Sequence, residues 1–266
     1  MEIGLSSILC LAYRSVQEYI DFLSKQHVSY IDFFIIPPYI DFNNLETITN
    51  LIKKRLGDNI KITVKAPSFV ENLTSILDKV QNLTFKEYMD TLDLAKRVGA
   101  KAVIIKPGMM FYTEKKCKNY IMEKFLEYLY TLAEIAEKSG IYLLLENYYY
   151  PYEILRGPRD FCEVYNLIKN YEHLGFALNI PHLLESKGSV NLLIRKCERE
   201  VLERIKLVYL GLRPSPWENT KYIQSIAHVL KEAKKLFRII SPEFVVIASV
   251  SEPIVRIFLD GVRDIR

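Results

Sequence analysis

Eight short apolar segments recur along the chain, and a helical pattern follows each of them. Each segment is rich in Ile, Val, Leu or aromatic residues, as is typical of strands that are buried on both faces. The segments are Glu2–Ser6, Val28–Ile36, Ile60–Ala66, Ala102–Lys106, Ile141–Glu146, Leu174–Asn179, Lys206–Leu212 and Phe244–Ser249. This alternation limits the chain to folds that are built from consecutive strand–helix units.

Between the segments, apolar residues recur at helical spacing, and local signals mark where helices begin and end. Ser15–Glu18 and Thr84–Glu87 both match the capping box, in which a hydroxyl and a carboxylate satisfy amides at a helix start. Gly57 is a stop signal, and Pro158 and Pro253 suit the first turn of a helix. The apolar stripes themselves indicate packing against a core.

Eight strand–helix units predict a (β/α)8 barrel, the TIM barrel. The alternative is a doubly wound open sheet, which usually carries a glycine-rich first turn that this sequence lacks. No linker rich in Pro, Gly or Ser divides the 266 residues, so a single domain over residues 1–266 is predicted.

Charge, cysteine spacing and the N-terminal residues argue against several classes of protein. Lys plus Arg is 36 and Asp plus Glu is 32, and the net charge of +4 is too small to indicate nucleic acid by itself. The four Cys lie far apart, which excludes zinc sites built on Cys pairs and a disulfide-dense secreted scaffold. No secretion signal or long apolar run is present, so we expect a cytoplasmic protein without a membrane span. Abundant Ile and charged residues favour a thermophilic source.

Polar residues stand where several predicted strands end. In a TIM barrel the carboxyl ends of the strands form the active-site face. The third, fourth and fifth strands end at Lys65, Lys106 and Glu146, the sixth ends at Asn179 with His182 just beyond, and the seventh runs out towards Arg213.

Four of these strand ends resemble the superfamily of endonuclease IV and xylose-isomerase-like TIM barrels, which includes sugar phosphate isomerases, epimerases and AP endonucleases. Residues 65–75 resemble its His-Ala-Pro segment, and residues 98–101 with 105–108 resemble its Leu-Gly-Ala and His-Pro-Gly. Residues 145–147 are similar to its Leu-Glu-Asn, and residues 179–182 to its Asp-x-x-His. The resemblance covers the whole barrel and implies sugar isomerase, epimerase or AP endonuclease activity with one to three divalent metals.

Most of the metal ligands that the resemblance implies are replaced. Lys65 and Lys106 stand for two His, Asn179 stands for an Asp, and Ala248 or Ser249 stands for a Glu. Glu146 and His182 remain. A protonated Lys has no lone pair to give a metal, and a tight zinc site needs at least three protein donors. The sequence therefore predicts no metal and no cofactor.

Lysines at these positions favour a pocket for a small anionic or sugar-like ligand. We expect Glu146 to pair with Lys106 and to accept a proton in a carbonyl–enediol shift, while a Lys stabilises the oxyanion. A Lys of lowered pKa acting as a base or Schiff-base nucleophile is an alternative. Lys65, Lys106 and Glu146 are thus the candidate catalytic residues of a metal-independent isomerase, epimerase or lyase. A buried ion pair that only preserves packing is the competing interpretation.

Candidate ligand-binding residues are Asn179, His182, Arg213, Tyr148 and Trp217. Tyr148 begins a tyrosine-rich run over residues 148–152, whose rings either stack on a ligand or close the barrel mouth.

Two other functions stay open at this point. A DNA-repair protein related to AP endonucleases, either a degenerate nuclease or a DNA-binding partner, needs a basic surface around the mouth. Arg156, Arg159, Arg213 and the segment 113–118 are its candidates. A catalytically silent interaction protein is favoured if the tyrosine-rich run closes the mouth.

Overall fold

A computed structural model describes the chain over residues 1–13, 15–26, 28–67, 71–111, 115–211 and 219–265. Eight parallel strands form a closed barrel in chain order, with the first strand paired to the last. The strands are β1 (Glu2–Ser6), β2 (Tyr30–Phe34), β3 (Lys61–Lys65), β4 (Ala102–Ile105), β5 (Tyr142–Glu146), β6 (Leu174–Asn179), β7 (Ile205–Leu210) and β8 (Phe244–Ile247). The predicted (β/α)8 barrel is confirmed.

Helices surround the barrel, and a short 3₁₀ helix (Ser7–Ala12) follows β1. They are α1 (Val16–Gln26), α2 (Leu45–Leu56), α3 (Asp78–Val98), α4 (Lys115–Lys138), α5 (Pro158–Ile168), α6 (Ile180–Glu185), α7 (Val190–Lys196), α8 (Arg199–Glu203), α9 (Asn219–Phe237) and α10 (Glu252–Arg263). Of the helices described, none is both long and apolar enough to cross a membrane.

Most of the predicted helix signals lie at helix ends. The Ser15 hydroxyl accepts a hydrogen bond from the Glu18 amide at 3.2 Å, just before α1. Pro158 and Pro253 lie in the first turns of α5 and α10. Gly57 follows α2 with φ of 101°, a left-handed conformation that residues with a side chain rarely adopt.

The second predicted capping box, Thr84–Glu87, is wrong. Helix α3 begins at Asp78, so Thr84 lies inside the helix. Its hydroxyl donates to the Val80 carbonyl at 2.8 Å and accepts from the Asn72 amide at 2.9 Å. The Thr84 hydroxyl therefore fastens the loop after β3 to the helix.

Two apolar clusters hold the barrel together. The larger lies between the sheet and the surrounding helices, and the smaller fills the inside of the barrel. In the smaller cluster the rings of Tyr30 and Phe244 pack with centroids 4.9 Å apart. Because side chains fill the barrel interior, open space is left at its ends.

Cys162 in α5 and Cys197 after α7 form a disulfide bond across 35 positions of sequence. The bond encloses β6 and α6, which carry Asn179 and His182. Cys10 and Cys117 are free. Nothing in the spacing of the four Cys predicts this bond, because the two partners meet only when α5 and α7 pack side by side.

Candidate active site at the barrel mouth

A cavity of about 440 Å³ opens at the carboxyl ends of the strands. The predicted site residues that line it are Lys65, Lys106, Asn179, His182 and Tyr148. Glu146 is buried beneath them, at 2% exposure, and contacts Lys65. Arg213 and Trp217 lie outside the described residues.

An ion pair between Lys65 and Glu146 forms the floor of the cavity. The Lys65 Nζ lies 2.5 Å from the Glu146 Oε2, and the Lys65 side chain is 14% exposed. The ammonium also lies 5.0 Å from the ring centroids of Phe34 and of Tyr209, which is within range of a cation–π interaction. The Lys65 ammonium at the floor of the site is therefore held on several sides.

The predicted pairing of Glu146 with Lys106 is wrong. Lys106 follows β4, the neighbour of β5, whereas Lys65 ends β3, two strands away from Glu146. Inside a TIM barrel, side chains of alternate strands share a layer. Residues on β3 and β5 thus meet across the interior, while adjacency in the sheet does not bring inward side chains together.

Glu146 is held ionised by its neighbours. Its Oε1 accepts a hydrogen bond from the Asn179 Nδ2 at 2.9 Å and lies 3.8 Å from the His182 Nδ1. Burial acts to raise the pKa of Glu146, but the Lys65 ammonium, His182 and the hydrogen bonds outweigh it and hold the pKa below its usual range. Glu146 is therefore a carboxylate at neutral pH.

Two asparagines fix the position of His182. The Asn179 backbone N–H donates to the Asn147 Oδ1 at 2.6 Å, and the Asn147 Nδ2 donates to the Asn179 backbone carbonyl at 3.1 Å. The His182 Nδ1 lies 3.0 Å from the Asn147 carbonyl. Since a carbonyl only accepts, the His182 Nδ1 carries a proton. Sequence reasoning gave Asn147 no role, although it stands in the Leu-Glu-Asn motif.

A second ion pair holds Lys106 in the cavity wall. Its Nζ lies 2.8 Å from the Glu153 Oε1, and the two side chains are 7% and 1% exposed. The same ammonium lies 4.5 Å from the ring centroid of Tyr148. Burial raises the pKa of Glu153, and Lys106 offsets this only in part. Sequence reasoning missed Glu153, which lies in a loop without a motif.

The tyrosine-rich run forms one side of the mouth and is fastened to the loop after β4. The Met110 amide donates to the Tyr152 carbonyl at 2.8 Å, and the Ile154 amide donates to the Gly108 carbonyl at 3.1 Å. Gly108 has φ of 120°, and a Cβ there would lie 2.3 Å from the Asn72 Oδ1, so this join requires glycine. Tyr148 and Tyr150 line the cavity beside His182.

A second polar cluster lies inside the barrel, close to Lys65. Asp32 is fully buried, and its carboxylate accepts from the Thr63 hydroxyl at 2.7 Å and from the Tyr209 hydroxyl at 3.1 Å. The Tyr30 hydroxyl lies 2.8 Å from the Thr63 hydroxyl. Burial raises the pKa of Asp32 to about 6. A carboxylate in an otherwise apolar strand was the sequence signal that could have found it.

The residues of the mouth do not fit a divalent metal. The Lys65 ammonium lies against Glu146, one of the two ligand residues that the sequence retains. In the described ranges, no three His, Cys, Asp or Glu residues are grouped so that they could hold a metal ion. A cation of the protein itself thus stands where the resemblance implied a bound one. That the protein in solution contains no metal stays a prediction.

Solved structures share this fold over the whole chain. A D-tagatose 3-epimerase-like protein has a TM-score of 0.75 and 18% identity, covering 100% of this chain and 97% of that one. D-psicose 3-epimerase of Clostridium cellulolyticum H10, solved with D-tagatose, has a TM-score of 0.73 and 15% identity, covering 100% and 98%. The IolI protein with a bound zinc atom has a TM-score of 0.74 and 15% identity, covering 100% and 98%. At these identities the likeness shows the fold alone.

Two sequence comparisons place the chain. The uncharacterized protein MJ1614 of Methanocaldococcus jannaschii is 26% identical over 138 residues, so the chain spans about half (51%) of the length of this curated relative. The family model for the xylose isomerase-like TIM barrel matches residues 20–234. The chain therefore belongs to the family of xylose isomerase-like TIM barrels.

Proposed function

We propose that the barrel mouth binds a small sugar-like carbonyl compound, polyhydroxy or phosphorylated, without a divalent metal. The observation that carries this proposal is the Lys65–Glu146 ion pair at the floor of a cavity of about 440 Å³. That volume is within the range of small-molecule sites. The names of two structural neighbours, a D-tagatose 3-epimerase-like protein and D-psicose 3-epimerase, support a sugar as the ligand.

The polar groups of the mouth suit such a ligand. An ammonium attracts a carbonyl oxygen, a carboxylate or a phosphate, and both Lys65 and Lys106 line the cavity. Asn179 and His182 offer hydrogen bonds to hydroxyl groups from the adjoining wall. Arg213 and Trp217 remain candidate ligand contacts on the sequence evidence.

The same pair supports a metal-free isomerase or epimerase reaction as the catalytic form of this proposal. A ligand carbonyl oxygen that takes the Lys65 ammonium frees the Glu146 carboxylate, which then accepts the proton from the neighbouring carbon. The Lys65 ammonium stabilises the oxyanion of the enediolate that forms. Lys65 acts here as a cation. A Schiff base needs an amine that is free to attack, whereas the Lys65 Nζ lies against the Glu146 carboxylate.

Calorimetry with chelated protein tests the proposal. The ligands are D-tagatose, D-fructose and D-fructose 6-phosphate, each titrated in the presence of EDTA. We expect Lys65→Met to weaken binding at least tenfold, because the cation that faces the ligand oxygen is lost. Lys61→Met is the matched control, since Lys61 lies at the other end of β3 and pairs with Glu2 at 2.9 Å.

Removal of Lys65 alone leaves a buried carboxylate without its partner, which can destabilise the fold. The double variant Lys65→Met/Glu146→Gln removes both charges and keeps the two shapes. We expect it to fold with a cooperative thermal transition and to bind at least tenfold more weakly. Binding of none of the three ligands by the wild type, or equal binding by the folded double variant, would overturn the proposal.

A further inference from the structure

The Lys65 ammonium meets side chains that reach it from other strands of the barrel. Glu146 comes from β5 and Tyr209 from β7, and inward side chains of alternate strands share a layer. The ammonium lies against the Glu146 carboxylate and 5.0 Å from the ring centroid of Tyr209, which also lines the cavity. The direction in which the ammonium points therefore depends on where the Tyr209 ring is held.

Asp32 holds the Tyr209 ring from inside the barrel. The Tyr209 hydroxyl donates to the Asp32 Oδ2 at 3.1 Å, and the Thr63 hydroxyl donates to the Asp32 Oδ1 at 2.7 Å. Asp32 is fully buried, and Tyr209 is 2% exposed. A carboxylate is costly to bury, and hydrogen bonds to it in such surroundings are strong. The phenol ring is thus fixed both at its backbone and at its hydroxyl.

We infer that Asp32 is a positioning residue of the ligand site, which acts through Tyr209 and keeps the Lys65 ammonium directed at the cavity beside Glu146. The inference rests on the proposed function and adds Asp32 and Tyr209 to the residues that serve it. A long, flexible Lys side chain costs free energy to order when a ligand binds. If the Tyr209 ring already confines the ammonium, this cost is met on folding and the ligand binds more tightly.

NMR spectroscopy of lysine that is isotope-labelled at Cε tests the positioning without any ligand. The double variant Lys65→Met/Glu146→Gln identifies the Lys65 signal, because that signal is lost. A cation over aromatic faces has an upfield-shifted signal. Tyr209→Phe keeps the ring but removes the hydroxyl that Asp32 holds. We expect the Lys65 signal of this variant to move downfield, because the ring is no longer fixed against the ammonium.

Tyr30→Phe is the matched control for Tyr209→Phe. It removes another buried phenol hydroxyl from the same cluster, 2.8 Å from the Thr63 hydroxyl, and leaves the bond between Tyr209 and Asp32 in place. We expect it to leave the Lys65 signal where it is in the wild type. Asp32→Ala removes the acceptor and should move the signal as Tyr209→Phe does. If Asp32→Ala does not fold, Tyr209→Phe decides the question.

Calorimetry with the three ligands named above, in the presence of EDTA, gives the functional readout. We expect Tyr209→Phe to bind about fivefold more weakly than wild type, and Tyr30→Phe to bind as tightly as wild type. An unmoved Lys65 signal in Tyr209→Phe, or an equal loss of affinity in both phenylalanine variants, overturns the inference. Failure of the wild type to bind any of the three counts against the proposed function, whereas the NMR result tests the positioning of Lys65 independently.

Discussion

Among single residues, Asp32 gives a direct link between burial and stability. Its pKa is raised from 3.8 to about 6 because the barrel interior disfavours its charge. The folded state therefore binds the proton more tightly than the unfolded chain, and the free energy of unfolding falls as pH rises through this interval. Asp32→Asn removes the titrating group. We expect the free energy of unfolding of the variant, relative to wild type, to rise by about 3 kcal/mol between pH 3.5 and pH 7.

Urea denaturation at a series of pH values measures this difference. Glu87, whose pKa burial also raises to about 6, is present in both proteins and cancels. Asp58→Asn is the control, because it removes an exposed carboxylate in the turn after α2. If the difference in the free energy of unfolding between Asp32→Asn and wild type does not change with pH, the raised pKa of Asp32 is contradicted.

The sequence predicts which residues lie at the barrel mouth, but it does not predict which of them form pairs. Lys65, Lys106 and Glu146 stand at strand ends, and any parallel barrel brings strand ends to one face. Their partners depend on the barrel layers and on loop paths, which the sequence does not express. Glu146 therefore meets Lys65, while Lys106 meets Glu153 from a loop that carries no motif.

At the scale of secondary structure, apolar runs located all eight strands, because strands buried on both faces need continuous apolar residues. The apolar runs extend beyond the strands where buried residues continue past the last strand residue, as Ile35 does after β2. Helix starts were harder. Ser15 and Thr84 carry the same local signal. Ser15 caps α1, whereas Thr84 lies inside α3 and binds the amide of residue 72, a tertiary contact that the local signal does not contain.

The disulfide between α5 and α7 gives a prediction about these elements. Cys162–Cys197 closes a loop of 35 positions, so the cross-link restricts the unfolded chain strongly. We expect the double variant Cys162→Ser/Cys197→Ser to lose about 4 kcal/mol in the free energy of unfolding. Urea denaturation of oxidised protein measures this loss.

Cys117→Ser is the matched control, because Cys117 is a free cysteine in α4. Wild type treated with a reductant should lose stability to about the same extent as the double variant, and the reductant should leave the double variant unaffected. Equal stability of oxidised wild type and double variant would show that the cross-link does not constrain the chain as argued.

For the molecule as a whole, closure of the barrel ties the two ends of the chain together. Residues Glu2–Leu5 of β1 pair with Phe244–Ile247 of β8, so the first and last strands share one ladder. No strand can leave the sheet without exposing the edges of both neighbours. The single domain predicted from the missing linker should therefore unfold as one unit, even though chains of this length often populate intermediates.

Two glycine substitutions on opposite sides of the barrel test whether the barrel unfolds as one unit. A Cβ at Gly4 in β1 would lie 2.0 Å from the Tyr30 ring, and a Cβ at Gly175 in β6 would lie 2.7 Å from the Arg204 carbonyl oxygen. We expect Gly4→Ala and Gly175→Ala each to shift one common thermal transition, seen alike by far-UV and near-UV circular dichroism. If the two signals separate, and each substitution moves only one of them, the barrel consists of two units that unfold independently.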